Sequence, residues 1–242
     1  MKNQSFFVFA LLCLLSSATA CNKILDCEDG DGAIVTEELS LDDFNSISLS
    51  TSIDIVLQQG ESQKVEVTGY ANLIDEIETD VKGKEWCIKM EDRCYEDLED
   101  MLITITLPDI ENVSITGSGD IEFTGGIAVD KLDLEITGSG DIDCDCTLDS
   151  DDLSIEITGS GDVSLNGVTK NQDIEITGSG EVTNFDLISD ECDVKISGSG
   201  STEVFVNNHL EVKITGSGTV YYKGSPTISS EVTGSGKLKF VE

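Results

Sequence analysis

The sequence predicts an all-β protein that folds as a single-stranded right-handed parallel β-helix, and three observations support this class. Apolar and polar residues alternate along nearly the whole chain from Val35 onward, which is the period of a strand with one buried face. Only two prolines interrupt the pattern, and helical periodicity is weak, being strongest over Ala71–Glu78. The phrase Gly-Ser-Gly occurs seven times at intervals of 18–21 residues, an internal period that indicates a solenoid.

Residues 1–20 carry the features of a secretory signal peptide. Lys2 supplies a positive charge, and Phe6–Leu15 is an apolar run too short for a bilayer, which needs roughly 20 apolar residues. Small residues then lead to Cys21, an arrangement that resembles a bacterial lipobox. The sequence therefore predicts lipidation of Cys21 and anchoring without a spanning segment. The alternative is soluble export after cleavage just before Cys21, which would then be an ordinary thiol.

Residues 21–33 are polar and acidic and predict a tether between the lipidated N-terminus and the folded domain. The folded domain is predicted to take up residues 34–242 as one elongated unit with a divergent N-terminal half. These features predict an exported protein anchored in the outer membrane, facing either the periplasm or the cell surface.

The charge of the chain excludes one class of partner. Asp and Glu number 48 against 14 Lys and Arg, and the formal net charge is −34. Such a surface repels phosphate backbones and lacks the basic stripe of nucleic-acid-binding proteins. The sequence therefore predicts no nucleic-acid partner, and it predicts contact with the membrane through the N-terminal lipid only.

The N-terminal half of the domain predicts strands without the repeated corner. The stretch ISLSTSIDI at 47–55 aligns with VSITGSGDI at 113–121, with Thr51 and Ile53 in place of the two glycines. An acidic loop is predicted at 91–101. Further strands are predicted at Val65–Gly69, Trp86–Met90 and Leu102–Leu107.

Each repeat in the C-terminal half predicts a strand, a Gly-Ser-Gly corner and a second strand. Two residues before the first glycine, every repeat has a β-branched apolar residue: Ile115, Ile136, Ile157, Ile176, Ile196, Ile214 and Val232. One unit cannot bury its own apolar face, whereas units stacked in register bury a shared core. An antiparallel sandwich of hairpins is the alternative. Near-identical corners favour the parallel stack, because each turn of a sandwich would meet a different environment.

Three segments carry a resemblance to a known family: FNSISLSTSIDI at 44–55, GYANLIDEI at 69–77 and ITITLPDIENVSITGSGDI at 103–121. On these residues the chain, over about 39–242, resembles the head GIN domain family, whose members are catalogued as "putative auto-transporter adhesins" and are common among Bacteroidota lipoproteins. The resemblance implies a β-helical fold, export to the cell envelope and no established enzymatic activity.

Export permits disulfides, and six cysteines remain once Cys13 of the predicted signal peptide and Cys21 are set aside: Cys27, Cys87, Cys94, Cys144, Cys146 and Cys192. Cys87 and Cys94 flank a short stretch that could close a hairpin-like loop, and they are predicted to form a disulfide. Cys144 and Cys146 are two residues apart, so on a strand their Cα atoms would be roughly 6.5–7 Å apart. That separation is poor for a disulfide, and the pair is predicted to be buried free thiols.

Four acidic residues directly follow the second glycine of successive repeats: Asp120, Asp141, Asp162 and Glu181. In register they form a column of carboxylates about 4.8 Å apart, in which like charges repel. A calcium ion between rungs would relieve that repulsion, because calcium prefers several oxygen ligands. The column is therefore a candidate calcium site. The alternative is a solvated polar position without a metal.

The corner serines form a second column: Ser118, Ser139, Ser160, Ser179, Ser199, Ser217 and Ser235. A serine nucleophile needs a general base within reach, and His209 is the only histidine in the chain. The serines are therefore predicted to hydrogen-bond along the stack, and no catalytic residue is predicted. No pair of carboxylates stands out as a glycosidase pair. The aromatic residues suited to sugar binding lie scattered along the chain: Tyr70, Trp86, Tyr95, Tyr221 and Tyr222.

Together these observations predict a non-catalytic lipoprotein of the cell envelope that acts in adhesion or surface interaction. Calcium is a candidate stabilising ion, and a surface glycan or a protein is a candidate ligand. The alternative is a β-helix protein that binds or processes polysaccharide.

Overall fold

The computed structural model describes residues 27–91, 93–144 and 146–242. In it, 67% of the chain is strand and 3% is helix, and the strands form the stacked parallel coils of a β-solenoid of about six turns. The predicted fold class is therefore confirmed. The predicted signal peptide and the lipidation site Cys21 lie outside the described residues.

Over the described residues 27–91 and 93–107, the N-terminal half contains seven strands and one short helix. Helix α1 (Ala71–Ile74) follows the fourth strand, and a 3-10 turn at Leu98–Asp100 precedes the seventh. The strands are β1 (Ile34–Glu38), β2 (Ser46–Leu49), β3 (Asp54–Gln59), β4 (Lys64–Tyr70), β5 (Val81–Lys82), β6 (Glu85–Ile88) and β7 (Leu102–Leu107).

The C-terminal half consists of strands and corners. Its strands are β8 (Asn112–Gly117), β9 (Ile121–Thr124), β10 (Gly126–Gly138), β11 (Ile142–Cys144), β12 (Thr147–Gly159), β13 (Asp162–Ser164), β14 (Gly167–Gly178), β15 (Glu181–Gly198), β16 (Ser201–Gly216), β17 (Thr219–Gly224), β18 (Thr227–Gly234) and β19 (Lys237–Phe240).

Two stacks of parallel strands meet at the repeated corner. The segments that precede the corner pair in the order β8, β10, β12, β14, β15, β16 and β18. The segments that follow it pair in the order β9, β11, β13, β15, β16, β17 and β19. Ile136 pairs with Ile157, which pairs with Ile176, and all three side chains are fully buried. The column of isoleucines predicted from the repeat thus forms the core of the solenoid.

The glycines of the corner have two separate physical reasons. The first glycine of each corner has a left-handed backbone, as at Gly138 with φ 138° and Gly159 with φ 137°, a conformation that glycine alone adopts at little cost. The second glycine packs against the previous rung. A Cβ on Gly140 would lie closer than 3.0 Å to the carbonyl oxygen of Gly119 and to Ile115.

Rungs in the N-terminal half stack in an order that differs from their order in the chain. The rung β2–β3 lies between two later ones, because β2 pairs in parallel with β6 and β8, and β3 with β7 and β9. Ile47 pairs with Val113 and Ile55 with Ile121, which confirms the alignment predicted between these two segments. Strand β4 then pairs antiparallel with β7, and β1 antiparallel with β4. We call this end, comprising β1, β4, α1 and residues 91–101, the N-terminal cap.

The disulfide predicted between Cys87 and Cys94 is wrong. Cys94 pairs instead with Cys27, at a Cα–Cα distance of 4.5 Å, while Cys87 is a half-buried free thiol. Cys87 lies within β6, where it is in register with Ser48. Cys94 lies in the loop beyond that strand and faces the chain at residue 28. Proximity in sequence did not bring the two thiols together, because β6 belongs to the stack of rungs, whereas the loop belongs to the N-terminal cap.

The prediction of free thiols at Cys144 and Cys146 is also wrong, because these two residues form a disulfide. Strand β11 ends at Cys144, and Cys146 lies at a bend. The strand thus ends at the first cysteine, and the two Cα atoms are 5.0 Å apart, within the range for a disulfide. Cys192, whose state the sequence left open, is a buried free thiol, and burial raises the pKa of this thiol well above its ordinary value.

The described part of the predicted tether is attached to the cap. Besides the Cys27–Cys94 disulfide, the backbone N–H of Gly30 donates to a carboxylate oxygen of Asp97 at 3.1 Å. The N–H of Asp31 donates to the Oδ1 atom of Asn72 at 2.9 Å. The folded head therefore includes residues 27–33, which the sequence predicted as tether.

Candidate functional site

The predicted column of carboxylates exists, and it is held by hydrogen bonds between rungs. The N–H of Asp141 donates to the Oδ1 atom of Asp120 at 2.9 Å, and the N–H of Asp162 donates to Oδ1 of Asp141 at 2.8 Å. The N–H of Glu181 donates in turn to Oδ1 of Asp162 at 2.9 Å. Each aspartate thus accepts the backbone N–H that follows the corner of the next rung.

The column begins one rung before Asp120, the first member that the repeat predicts. The N–H of Asp120 donates to the Oδ1 atom of Asp54 at 3.2 Å. Asp54 occupies the position of Asp120 in the alignment of 47–55 with 113–121, so that alignment contained the signal for this fifth member. We call Asp54, Asp120, Asp141, Asp162 and Glu181 the acidic column.

The acidic column ends where the backbone supplies a different acceptor. In the next rungs the N–H groups of Ser201 and Thr219 donate to the carbonyl oxygens of Gly180 and Gly200, both at 3.1 Å. Lys237 repeats this arrangement with Gly218 at 3.0 Å. An aspartate is therefore no longer needed after Glu181 to satisfy the N–H at this position.

The environment of the column disfavours the ionised form of two members. Burial raises the pKa of Asp120, and the charges of Asp141 and Asp54 raise it further, while the hydrogen bond from the N–H of Asp141 opposes the rise. Burial likewise raises the pKa of Asp162, against the hydrogen bond from the N–H of Glu181. Mutual repulsion, which the spacing of the repeat predicts, thus acts on the column and is partly offset by backbone donors.

The calcium site predicted on this column stays a prediction. Across 27–91, 93–144 and 146–242, no cluster of three or more His, Cys, Asp or Glu side chains is arranged to hold a metal ion. One oxygen of each of the four aspartates already accepts a backbone hydrogen bond.

The corner serines act through their backbones. The N–H of Ser139 donates to the carbonyl oxygen of Gly117 at 2.9 Å, and the N–H of Ser160 to that of Gly138 at 2.9 Å. The same bond recurs at later corners, and the seven serines are exposed. The predicted bonding along the stack is found, but the backbone N–H rather than the hydroxyl group provides it.

The aromatic residues that the sequence left scattered fall into two groups. Trp86 is fully buried in the core, and its indole N–H donates to the carbonyl of Glu78 at 2.9 Å. Tyr70 and Tyr95 bond carboxylates of the cap, at 3.3 and 3.4 Å. Tyr221 and Tyr222 lie at the other end of the solenoid, in β17.

These features define a class of protein: a long, acidic β-solenoid whose repeated corner is structural. The chain belongs to the family described as "Putative auto-transporter adhesin, head GIN domain", whose model matches residues 43–226. The resemblance noted from the sequence is therefore confirmed.

Solved structures from Bacteroidales share the fold. A "putative adhesin" from Bacteroides fragilis is 25% identical, with a TM-score of 0.81, and the match covers 88% of this chain and 99% of the other. A "putative adhesin" from Parabacteroides merdae is 25% identical, with a TM-score of 0.75, covering 88% and 98%. A "putative lipid binding protein" from Parabacteroides distasonis is 24% identical, with a TM-score of 0.72, covering 88% and 99%.

A comparison with curated proteins found no significant match. Within the described ranges, no helix has the length and apolar character needed to cross a membrane.

Proposed function

We propose that this protein is a non-catalytic, lipid-anchored scaffold of the cell envelope that acts in adhesion or surface interaction. The observation that carries the proposal is the continuous stack of rungs from β6–β7 to β18–β19, held by main-chain pairing throughout. Such a stack is rigid and presents long faces of exposed side chains, which suits binding to an extended surface. The family description and the descriptions of the two similar adhesin-like structures support the same role.

Anchoring through Cys21 would place the cap next to the membrane. Only residues 22–26 lie between Cys21 and the disulfide-bonded Cys27, and that stretch reaches at most about 20 Å. The cap would then lie close to the lipid surface, and the last rungs, β17 to β19, would lie furthest from it. In this orientation the C-terminal end of the solenoid points away from the membrane.

The proposal includes calcium as an ion that reduces the repulsion between neighbouring carboxylates of the acidic column. The second carboxylate oxygens of the column remain to attract cations, and the net charge of −34 favours their accumulation. The melting temperature is expected to be higher with millimolar calcium than with a chelator at equal ionic strength. An unchanged melting temperature would remove calcium from the proposal.

Attachment and fractionation of cells test the proposal together. A strain that lacks the protein is complemented with the wild-type chain or with Cys21→Ser, and attachment to mucin-coated plates is measured beside membrane fractionation. The wild-type chain should restore attachment and remain with the membrane, whereas Cys21→Ser should do neither. Normal attachment by the deletion strain would contradict the adhesive role. Membrane association of Cys21→Ser would contradict the anchor.

A further inference from the structure

An outer face of the last rungs differs in chemistry from the rest of this acidic molecule. Aromatic and lysine side chains occupy outward positions on β15, β16, β17 and β19, and all are at least partly exposed. We call this surface the aromatic–lysine patch; it consists of Phe185, Phe205, Tyr221, Lys223 and Lys239.

The lysines of the patch are held over aromatic rings. The Nζ atom of Lys223 lies 4.4 Å from the centre of the Phe185 ring. The Nζ atom of Lys239 lies 4.7 Å from the centre of the Tyr221 ring and 3.3 Å from its hydroxyl oxygen. Cation–π contacts of this kind fix the ammonium groups at the surface without neutralising them.

These ammonium groups lack carboxylate partners in a chain where Asp and Glu outnumber Lys and Arg by 48 to 14. Six lysines elsewhere in the described ranges form ion pairs, as Lys131 does with Asp133 and Lys170 with Asp151. Among the described residues, Lys223 and Lys239 have no carboxylate oxygen within 4.0 Å. Within the part of the chain that the structure describes, two ammonium groups without an ion pair within 4.0 Å therefore lie on this face.

Glu203 lies on the same face, and its surroundings disfavour the ionised form of its carboxyl group. Glu203 pairs in register with Tyr221. Burial raises the pKa of Glu203, the charge of Glu181 raises it further, and Lys223 lowers it. The patch thus sets two ammonium groups beside the carboxylates of Glu203 and Glu181, and these carboxylates can accept hydrogen bonds from hydroxyl groups of a ligand.

We propose that the aromatic–lysine patch binds a segment of an anionic polysaccharide that lies along the solenoid axis. The inference rests on the proposed function and gives it a class of ligand. Sugar rings present apolar C–H faces that pack against partly exposed aromatic side chains such as Phe205, and their carboxylate or sulfate groups match the two ammonium groups. Successive rungs about 4.8 Å apart present these side chains as a row, which suits a polymer of repeating units.

The backbone around the patch favours a polysaccharide over a peptide. An extended peptide is commonly bound by adding a strand to a free sheet edge. Here β16 pairs with β15 on one side and with β17 and β18 on the other, and β17 pairs with β16 and β19. Strands β16 and β17 therefore offer no free edge, and recognition on them falls to side chains, whereas β19 at the end of the stack pairs on one side with β17 and has an outer edge.

The position of the patch suits an exposed ligand. In the orientation proposed for the lipid-anchored protein, the patch lies on the rungs furthest from the membrane. At physiological ionic strength the screening length is about 8 Å, so the acidic residues on distant rungs repel an anionic ligand only weakly. Contacts between the ligand and the ammonium groups of the patch are screened less, because they are shorter than this length.

Binding of purified full-length protein to defined polymers tests the inference. The probes are polygalacturonate and chondroitin sulfate as anionic polysaccharides, dextran as a neutral one and poly-L-glutamate as an anionic polypeptide, measured by affinity electrophoresis. The wild-type protein should bind one or both anionic polysaccharides and should not bind dextran. The double variant Lys223→Gln/Lys239→Gln should bind at least about tenfold more weakly, and Lys223→Arg/Lys239→Arg should retain binding.

The matched control is Lys64→Gln/Lys170→Gln, which removes the same charge from other faces and should bind as the wild type does. Absence of binding to both anionic polysaccharides, or equal weakening in the control, would overturn the inference. Equally tight binding to poly-L-glutamate would overturn the assignment to polysaccharide. If the wild-type protein binds neither anionic polysaccharide while the deletion strain still loses attachment to mucin, the inference fails and the adhesive role stands.

Discussion

At the scale of single residues, Asp141 shows what the acidic column does. Its N–H donates to Asp120, and its carboxylate accepts the N–H of Asp162. Each of these N–H groups at the exposed corner needs an acceptor, and an aspartate one rung away supplies it. The aspartate therefore serves as a hydrogen-bond acceptor for the next rung. Its negative charge also repels the neighbouring carboxylates of the acidic column.

Substitution at Asp141 separates the hydrogen bond from the charge. Asp141→Ala leaves the N–H of Asp162 without its acceptor and should lower the free energy of unfolding by about 0.5–1.5 kcal/mol. Asp141→Asn keeps an oxygen acceptor and should be at least as stable as the wild type, because repulsion falls. Glu181→Ala is the matched control, since the N–H of the next rung donates to the carbonyl of Gly180 instead. Urea unfolding measures all three, and equal losses for Asp141→Ala and Glu181→Ala would refute the role of the side chain.

The raised pKa values of Asp120 and Asp162 predict the direction of the pH dependence. Because the folded state binds these protons more tightly than the unfolded state, the stabilisation they give is complete below about pH 4 and is lost as pH rises through the raised pKa values. The free energy of unfolding should therefore fall as the pH rises above about 4. In the double variant Asp120→Asn/Asp162→Asn, the free energy of unfolding should fall less steeply with pH. An equally steep fall would contradict the assignment of this pH dependence to the two aspartates.

At the scale of elements, the repeat made most of the solenoid predictable, because the period fixes both the strands and their register. The isoleucine column, the corner and the alignment of 47–55 with 113–121 all follow from local sequence. The placement of β2–β3 between β6–β7 and β8–β9 does not, since it depends on how the chain returns to the stack after the cap. The pairing of Cys27 with Cys94 was missed for the same reason, and the Cys144–Cys146 disulfide was missed because the strand was expected to continue.

The corner glycines give a prediction for the repeated element. Gly159 has φ 137°, and a Cβ there would lie closer than 3.0 Å to the carbonyl oxygen of Gly138. Gly159→Ala should lower the free energy of unfolding by about 1–3 kcal/mol from backbone strain alone, with steric overlap in addition. Gly126→Ala is the control, because nothing lies within 4 Å of its added Cβ. Equal stability of the two variants would contradict the account of the corner.

The two disulfides should differ in their effect on stability. The Cys27–Cys94 bond links residues 67 apart in sequence, whereas the Cys144–Cys146 bond links residues two apart. Loss of the first, in Cys27→Ser/Cys94→Ser, should cost about 2–4 kcal/mol, because a longer loop is released in the unfolded chain. Loss of the second should cost less. Thermal melting under non-reducing conditions compares them, and a larger loss for the second pair would show that loop length does not dominate.

At the scale of the whole molecule, the solenoid places different chemistry at its two ends. The cap holds the Cys27–Cys94 disulfide and the residues nearest the predicted anchor, while the last rungs carry the aromatic–lysine patch. The acidic column between them serves the stacking of the rungs. The sequence indicated the acidic surface and the repeat, but it could not show the patch, because Phe185, Tyr221 and Lys239 come together only when the rungs are stacked.

The central claim is that the repeated corner builds the scaffold and that the activity of the protein lies elsewhere on it. The most direct test is attachment of cells that carry a triple variant, Ser139→Ala, Ser160→Ala and Ser179→Ala, which removes exposed hydroxyl groups but keeps the backbone bonds of the corners. With unchanged melting temperature and surface level, these cells should attach to mucin-coated plates as well as wild-type cells do. Attachment reduced to the level of the deletion strain would contradict the claim and make the corner itself the functional surface.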